Sequence, residues 1–296
     1  MPDPVLVAAC GVGAFLLARR LCGDPLAAAV AAAAYALAPG RGAFAGPAAL
    51  WPAALPPFLW LFYRTSESEE SPWRAAWPCA LALAVGAAVA PAFSICAGAF
   101  VWLLILGGFA ADRRRSWAVW SPAFGRWGAA CLEGALLYFP LWLLRAWHPR
   151  VPFPPSAFGG VDAAALLTPG AAYLGLATLA LAACGAALSR SYRSQARLWL
   201  AEAGLLVWLS CGADFLIRGR PLWWIPCLYL AFAKLPWLRD VPPILYVEPA
   251  RLALALTAAF GVSALLARLP AWKLTWTRAA AAAVLGAAVA ADFLRR

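Results

Sequence analysis

Charged residues are scarce in this sequence. Only 12% of its 296 residues are Asp, Glu, Lys or Arg, whereas 65% are hydrophobic and the mean hydropathy is +0.76. Soluble domains carry about one quarter charged residues, so this shortage excludes an ordinary soluble protein. The apolar runs lack the alternation of transmembrane strands, and several approach the roughly 20 residues that cross a bilayer as a helix. We therefore expect an all-α fold: a polytopic transmembrane helical bundle forming a single transmembrane domain over residues 1–296.

Motifs of common active sites are also missing. The sequence contains no G-x-S-x-G, H-E-x-x-H or G-x-x-x-x-G-K-[ST] string, so serine hydrolase, zincin and P-loop readings have no motif support. Its one histidine, His148, excludes a His-rich metal site and is interpreted as a surface residue rather than a general base. The eight cysteines form no C-x-x-C pair and mostly lie in apolar runs, where free Cys packs as a small hydrophobe. We expect no metal and no cofactor other than a bound lipid or polyprenyl phosphate.

The net charge of +11 comes from 24 basic residues spread over nearly every loop. Nucleic-acid binding requires a clustered basic face, so we expect membrane lipids as partners and no nucleic acid. The positive-inside rule predicts about ten spans in a bacterial inner membrane, with residues 214–251 on the external face. The segments assigned to the cytoplasmic side, which carry most of the arginines, are 19–24, 64–74, 112–126, 189–197 and 268–278.

Apolar runs bounded by Pro, Gly and Arg give the expected helices. Four prolines (47, 52, 56 and 57) predict that the third helix is kinked or partly unwound. Residues 117–127 are expected to lie along the membrane interface, and a short interfacial helix is expected near 222–233. The expected spans are Pro4–Leu17, Pro25–Ala38, Ala45–Tyr63, Trp77–Ala90, Phe93–Ala111, Ala129–Trp147, Ala163–Leu188, Leu198–Ala213, Leu252–Leu266 and Thr277–Leu294.

The stretch from Asp214 to Arg251 concentrates charge in a chain that has little of it, and the topology places it on the same face as Asp162. Guanidinium groups match phosphate oxygens, so this face is a candidate phosphate or pyrophosphate site. The alternative is a set of arginines on lipid headgroups, with Asp162 simply capping a helix. The two readings stand equal on the residues alone. The candidate phosphate-binding residues are Arg218, Arg220, Arg239 and Arg251.

Two carboxylates, Glu133 and Glu202, lie within apolar runs. An ionisable group inside a membrane is a functional-site hypothesis. The simpler interpretation, which we favour, is that each lies near a helix end and pairs with an arginine such as Arg126 or Arg197. A charge near a helix end can extend to water.

The sequence resembles bacterial polytopic membrane glycosyltransferases of the GT-C type that use polyprenyl-phosphate sugars, in particular the mannosyltransferase-like members. The resemblance covers most of the chain. An arginine–proline–arginine signature would correspond to Arg239, Pro249 and Arg251, separated here by the insertion VPPILYVEP. The similar segments are LLARRLCGDPLAAAVAAAAYALAPGRG, Trp51-Pro52 with FLWLFYR, VDAAALLTPGAAYLGLATLAL, ARLWLAEAGLLVWLSCGAD and LPWLRDVPPILYVEPARLALALTAAFGVSALLARL.

The resemblance implies transfer of a sugar from a polyprenyl-phosphate carrier at the external face. Asp162 or Asp3 would act as the base, and the arginines would hold the phosphate. The family places its catalytic aspartate in the first external loop, and the chain is expected to lack that loop together with the N-terminal helix before it. A non-catalytic accessory subunit, packed with membrane-protein partners in a larger complex, is therefore the main alternative. A transporter is the third.

Overall fold

The protein is described here by a computed structural model covering residues 3–38, 50–89, 91–111, 117–146, 160–170, 172–232, 234, 241–269 and 276–294. About 80% of these residues are helical, so the expected all-α class is confirmed. A two-stranded antiparallel hairpin pairs β1 (Leu216–Ile217) with β2 (Arg220–Pro221), and Ala163–Leu166 and Pro243–Tyr246 form 3-10 helices. The α-helices are α1 Pro4–Cys22, α2 Pro25–Ala36, α3 Trp51–Glu67, α4 Pro72–Val89, α5 Pro91–Ala111, α6 Trp117–Ala146, α7 Leu176–Leu188, α8 Arg193–Ser210, α9 Leu228–Phe232, α10 Val247–Leu266 and α11 Trp276–Leu294.

Four helical segments in the described ranges, rather than about ten, are long and apolar enough to cross a membrane. Several other helices are too short. With 12 and 13 residues, α2 and α7 reach only about 20 Å of a hydrocarbon layer of roughly 30 Å at a rise of 1.5 Å per residue. The prediction of about ten spans was therefore too high, because only four helices in the described ranges meet the length and hydropathy that a span requires. The four segments are Pro4–Cys22, Pro91–Ala110, Pro243–Leu266 and Trp276–Leu294.

Two predicted helices have different boundaries in the structure. The interfacial segment 117–127 and the span 129–147 merge into the 30-residue α6, because only Gly128 separates them. In contrast, the predicted span 163–188 is broken. A 3-10 helix ends at Leu166 and α7 begins at Leu176, after Gly175 with a φ of 86°. A left-handed glycine at this position turns the chain before the helix starts.

The short helix expected near 222–233 is reduced to α9, Leu228–Phe232. Pro226 lies two residues before it, and the chain turns at residues 223–225. Trp223 and Trp224 lie in this turn and are 90% and 68% exposed. The segment therefore presents aromatic side chains outward rather than burying them in a helix–helix contact.

The prolines of α3 do not interrupt it, since the helix is continuous from Trp51 to Glu67. Pro56 has no N–H, so it cannot donate the helical hydrogen bond to the carbonyl of Pro52. The buried Tyr35 hydroxyl of α2 donates to that carbonyl instead, at 2.8 Å. A neighbouring helix thus satisfies the freed carbonyl, and the partial unwinding expected from the prolines is not seen between residues 51 and 67.

The centre of the bundle is α10, whose residues from Val247 to Val262 are all buried. It packs against α7, α8 and α2. At the α7 contact two glycines allow the backbones to touch. A Cβ on Gly261 would lie 2.0 Å from the Leu181 carbonyl oxygen, and one on Gly185 would lie 2.4 Å from that of Thr257. Such small-residue contacts are typical of closely packed membrane helices.

Side-chain contacts define two ends of the bundle. At the first, which we call the basic end, Arg20 pairs with Glu67, and Arg278 pairs with Asp24 at 2.8 Å. Tyr192 also donates to the Cys22 carbonyl there. These contacts join turns that the arginine pattern had assigned to one side. The opposite end, which we call the hairpin end, gathers residues 160–170 and 172–175, the β1–β2 hairpin and Pro243–Tyr246. There the Val161 amide donates a hydrogen bond to the Ser210 carbonyl, and the Trp51 indole N–H donates one to the Leu245 carbonyl.

Candidate functional site

Asp162 joins two chain segments at the hairpin end. It precedes the 3-10 helix Ala163–Leu166 and caps it, with Oδ1 accepting from the Ala164 amide at 2.8 Å. The same oxygen accepts from the Arg218 amide at 2.9 Å, and Oδ2 accepts from the Gly219 amide at 2.6 Å. The capping role considered from the sequence is therefore present, together with a second contact, to the hairpin, that the sequence did not suggest.

The hairpin turn explains why a carboxylate suits this position. Arg218 and Gly219 have φ angles of 51° and 73°, and two consecutive positive φ values are the geometry of a type I′ turn. Asp162 binds the amides of both residues, so it holds the turn against the 160–166 segment. The hydrogen bond from Gly219, followed by those from Ala164 and Arg218, lowers the pKa of the Asp162 carboxyl.

These contacts bear on the role of Asp162 as a base. A general base must be able to take up a proton near neutral pH, and a carboxylate bound by three amides with a lowered pKa accepts one less readily. Asp3 is similarly occupied, because it caps α1 and accepts from the Val5 amide at 2.9 Å. Both catalytic assignments remain predictions, and the geometry gives each carboxylate a backbone-binding role.

Arg218 and Arg220 of the hairpin lie in a different environment from Arg251, which was expected to bind the same phosphate. Arg218 and Arg220 are exposed, as are Trp223 and Trp224. We call these four residues the hairpin surface. Arg251 is instead 4% exposed on the first turn of α10, so it does not belong to that surface. The fourth predicted phosphate ligand, Arg239, lies outside the described residues.

Arg251 forms a buried ion pair. Its Nη1 lies 2.5 Å from Oε1 of Glu248, which is fully buried, and its Nη2 donates to the Tyr173 carbonyl at 3.1 Å. A buried charge of this kind requires a partner of opposite sign, and Glu248 supplies it. Arg251 therefore links the start of α10 to the segment before α7.

A second polar contact, which was not predicted from the sequence, lies beside this pair. The Tyr173 hydroxyl donates to Asp292 Oδ1 at 2.5 Å, and the Ala177 amide donates to Oδ2 at 2.8 Å. Asp292 lies near the end of α11, 115 residues from Ala177. A single acidic residue in an apolar helix did not indicate which segment it would contact.

Among the described residues, neither Glu133 nor Glu202 forms the expected ion pair with Arg126 or Arg197. Arg126 instead donates to the Ser66 carbonyl at 2.5 Å, and Arg197 is exposed. Glu202 is 4% exposed, and its Oε2 accepts no hydrogen bond in the described part of the chain; the same holds for Oε2 of Glu133. The prediction of end-of-helix ion pairs was therefore wrong for both carboxylates.

Within the described ranges, no group of three His, Cys, Asp or Glu side chains is arranged to hold a metal ion. The comparisons with known proteins give no family. No protein-family model matches the sequence, and no curated protein is significantly similar to it. The likeness to GT-C glycosyltransferases therefore rests on the quoted segments alone.

Proposed function

We propose that this chain is an integral membrane protein that binds the phosphate of a lipid at the hairpin surface, on a scaffold resembling that of GT-C glycosyltransferases. The observation that supports it is the occurrence of four exposed side chains, Arg218, Arg220, Trp223 and Trp224, within seven residues of the chain, beside a turn that Asp162 holds by two backbone hydrogen bonds. The helices that are too short to cross alone would lie within the bundle.

The chemistry of the hairpin surface suits a lipid phosphate. Arginine guanidinium groups donate paired hydrogen bonds to phosphate oxygens, and tryptophan is enriched at the headgroup level of a bilayer. A phosphate held by the arginines, with the lipid chain passing beside the indoles, satisfies both preferences. The rigid turn lowers the entropy lost when the two arginines engage one ligand.

The resemblance adds that the lipid is a polyprenyl-phosphate sugar carrier bound at the external face of a bacterial inner membrane. The sugar-transfer step is less well supported than the binding step. Asp162 and Asp3, the two candidate bases, both accept hydrogen bonds from backbone amides. We therefore propose lipid-phosphate binding as the function of this chain, with sugar transfer as the activity to be sought in the same experiment.

The test is binding of a polyprenyl phosphate to the full chain in lipid nanodiscs, with Arg218→Asn and Arg220→Gln combined in one variant. Asn tolerates a positive φ better than most residues, so Arg218→Asn removes the guanidinium without straining the turn. Loss of two charge-assisted hydrogen bonds should weaken binding by about 100-fold. Arg193→Gln, an exposed arginine at the basic end, is the matched control and should bind as the parent does.

Equal affinity in the double variant and the parent would overturn the lipid-phosphate site. Product formation from a lipid-linked sugar by the purified chain would instead extend the proposal to catalysis. In that case Asp162→Asn and Asp3→Asn would show which carboxylate the reaction needs.

An accessory subunit is the second candidate, favoured by one face of α6. Leu132, Leu136, Phe139 and Leu143 recur at helical spacing and are 51%, 64%, 52% and 44% exposed. This stripe would contact either lipid or a partner helix. Native mass spectrometry after mild detergent extraction distinguishes the two, because only a subunit would be recovered with a second chain in fixed stoichiometry.

A further inference from the structure

Glu202 lies deep within the bundle. Helix α8 begins at Arg193 rather than near residue 198, so Glu202 is about 14 Å along the helix from its start at 1.5 Å per residue. This depth prevents the carboxyl from extending to water as a charge near a helix end would. The residue is 4% exposed, so its carboxyl is surrounded by protein.

The Glu202 carboxyl has few polar neighbours. Its Oε2 is a buried atom without a hydrogen-bond donor among the described residues. Trp199 lies one turn earlier on the same face of α8 and is fully buried, and its Nε1 likewise finds no acceptor there. The rings of Phe100 and Tyr63 pack against Trp199 with centroid separations of 5.9 and 6.5 Å. The environment is therefore aromatic and apolar.

Gly107 on α5 leaves space for the Glu202 side chain. A Cβ at that position would lie 3.3 Å from Glu202 Oε1 and 2.8 Å from Leu198 Cδ1. A glycine opposite the carboxyl thus allows α5 and α8 to close around it.

Few titratable groups face Glu202 from the packed elements, and no described residue forms an ion pair with it. Glu248 and Arg251 of α10 neutralise each other, and the arginines of α8 itself, Arg193 and Arg197, are exposed. On α3, Tyr63 lies nearby, whereas Arg64 and Glu67 are exposed and Glu67 pairs with Arg20. The remaining titratable residues on the packed elements are cysteines and tyrosines: Cys96 of α5, Cys184 of α7, Tyr229 of α9 and Tyr246 of the 3-10 helix before α10.

We propose that Glu202 is a proton-binding carboxyl of the protein interior, neutral in the closed bundle and open to modification by apolar carbodiimides. An isolated carboxylate costs several kcal/mol in such surroundings, and the group avoids this cost by holding a proton. Release of the proton therefore requires the contact between α5 and α8 at Gly107 to open. The site is independent of the hairpin surface.

The experiment uses dicyclohexylcarbodiimide, an apolar reagent, on the intact chain in nanodiscs. The carboxyl oxygen adds to the central carbon of the reagent while the acid proton moves to one nitrogen. The acyl group then migrates to nitrogen, giving a stable N-acylurea with no leaving group. Because the step needs the protonated acid, mass spectrometry should find Glu202 modified near neutral pH and modified progressively less at alkaline pH.

Two controls define the result. A water-soluble carbodiimide should modify exposed Glu67, whose side chain is 63% exposed, and leave Glu202 intact. Glu202→Gln should abolish the modification in its peptide while Glu133→Gln leaves it unchanged. Absence of Glu202 modification by the apolar reagent, or equal modification by both reagents, would overturn the proposal. So would a marked loss of thermal stability in Glu202→Gln, because that would reveal a paired anion.

Discussion

Asp292 of α11 accepts a hydrogen bond from the Tyr173 hydroxyl at 2.5 Å, and its second oxygen accepts one from the Ala177 amide at 2.8 Å. Ala177 lies in the first turn of α7, whose N-cap residue, Gly175, has no side chain to cap the helix. Asp292 thus supplies from another helix the carboxylate that helix starts favour. Together with Phe293, whose ring packs against Tyr173 at a centroid separation of 5.9 Å, Asp292 fixes the end of α11 to the start of α7.

Substituting Asp292 with Ala should loosen α11, because only three residues of this helix are buried: Ala282, Val289 and Phe293. Hydrogen bonds to a charged group contribute about 1.5–3 kcal/mol each, so a loss of about 2–4 kcal/mol in the free energy of unfolding is expected. Tyr173→Phe removes one of the bonds and should cost less. Chemical unfolding in detergent, followed by Trp fluorescence, measures both. Equal stability of Asp292→Ala and the parent would show that the contact contributes nothing.

Replacing one residue of the Glu248–Arg251 pair should destabilise the protein more than replacing both. Replacing Arg251 alone by Met leaves a fully buried carboxylate without its cation, which costs about 3–5 kcal/mol. Replacing both residues, with Glu248→Leu added, removes the uncompensated charge and should recover most of that loss. A double-mutant cycle on the thermal midpoint checks this. A double variant as unstable as Arg251→Met would contradict the interpretation.

The contact between α7 and α10 predicts different outcomes for chemically identical substitutions. Gly261→Ala places a methyl group against the Leu181 carbonyl oxygen, and overpacking of this kind costs about 1–3 kcal/mol. Gly204→Ala on α8, where nothing lies within 4 Å of the added Cβ, should be neutral or stabilising because Ala favours helix. Thermal unfolding of the two variants side by side provides the measurement, and similar losses in both would refute close backbone packing.

Acid should release the hairpin through Asp162. Since hydrogen bonds lower the pKa of this carboxyl in the folded chain, its contribution to stability is present above the unfolded value of about 3.9 and is lost as pH falls through the folded value. Exchange of the Arg218 and Gly219 amides with deuterium should therefore accelerate in acid beyond the intrinsic change. Asp162→Asn should show faster exchange already at neutral pH. Unchanged protection in that variant would contradict the anchoring role.

The sequence predicted the helices and the grouping of their turns better than it predicted the site. Apolar runs bounded by arginines indicate helix ends, and Arg20 and Arg278 indeed lie in terminal turns of α1 and α11 at one end of the bundle. Arg126 was misleading in this respect, because it lies inside α6. Length was harder to predict, since a 13-residue helix such as α7 is as apolar as one that is long enough to cross a bilayer. The break before α7 depends on the conformation of Gly175, which composition does not reveal.

Side-chain partners could not be predicted, because they depend on contacts between distant segments. Arg251 shared the Asp214–Arg251 stretch with Arg218 and Arg220, yet it lies buried against Glu248. Asp162 was recognised as a cap, but its bonds to the hairpin join residues 56 and 57 positions apart. Helical spacing indicates that Glu248 and Arg251, three residues apart, share a face; this local signal was the only one available for the pair.

The burial of α10 on all sides has a consequence for biogenesis. The helices that pack against α10 come from distant parts of the chain. Helices α1 and α2 precede it by more than 200 residues, whereas α7 and α8 are synthesised shortly before it. If the chain enters a bilayer helix by helix, α10 meets lipid first and then moves inward between helices that are already in place. In that case the bundle closes only after residue 266 has been synthesised, and until then the faces of α2, α7 and α8 that contact α10 stay exposed.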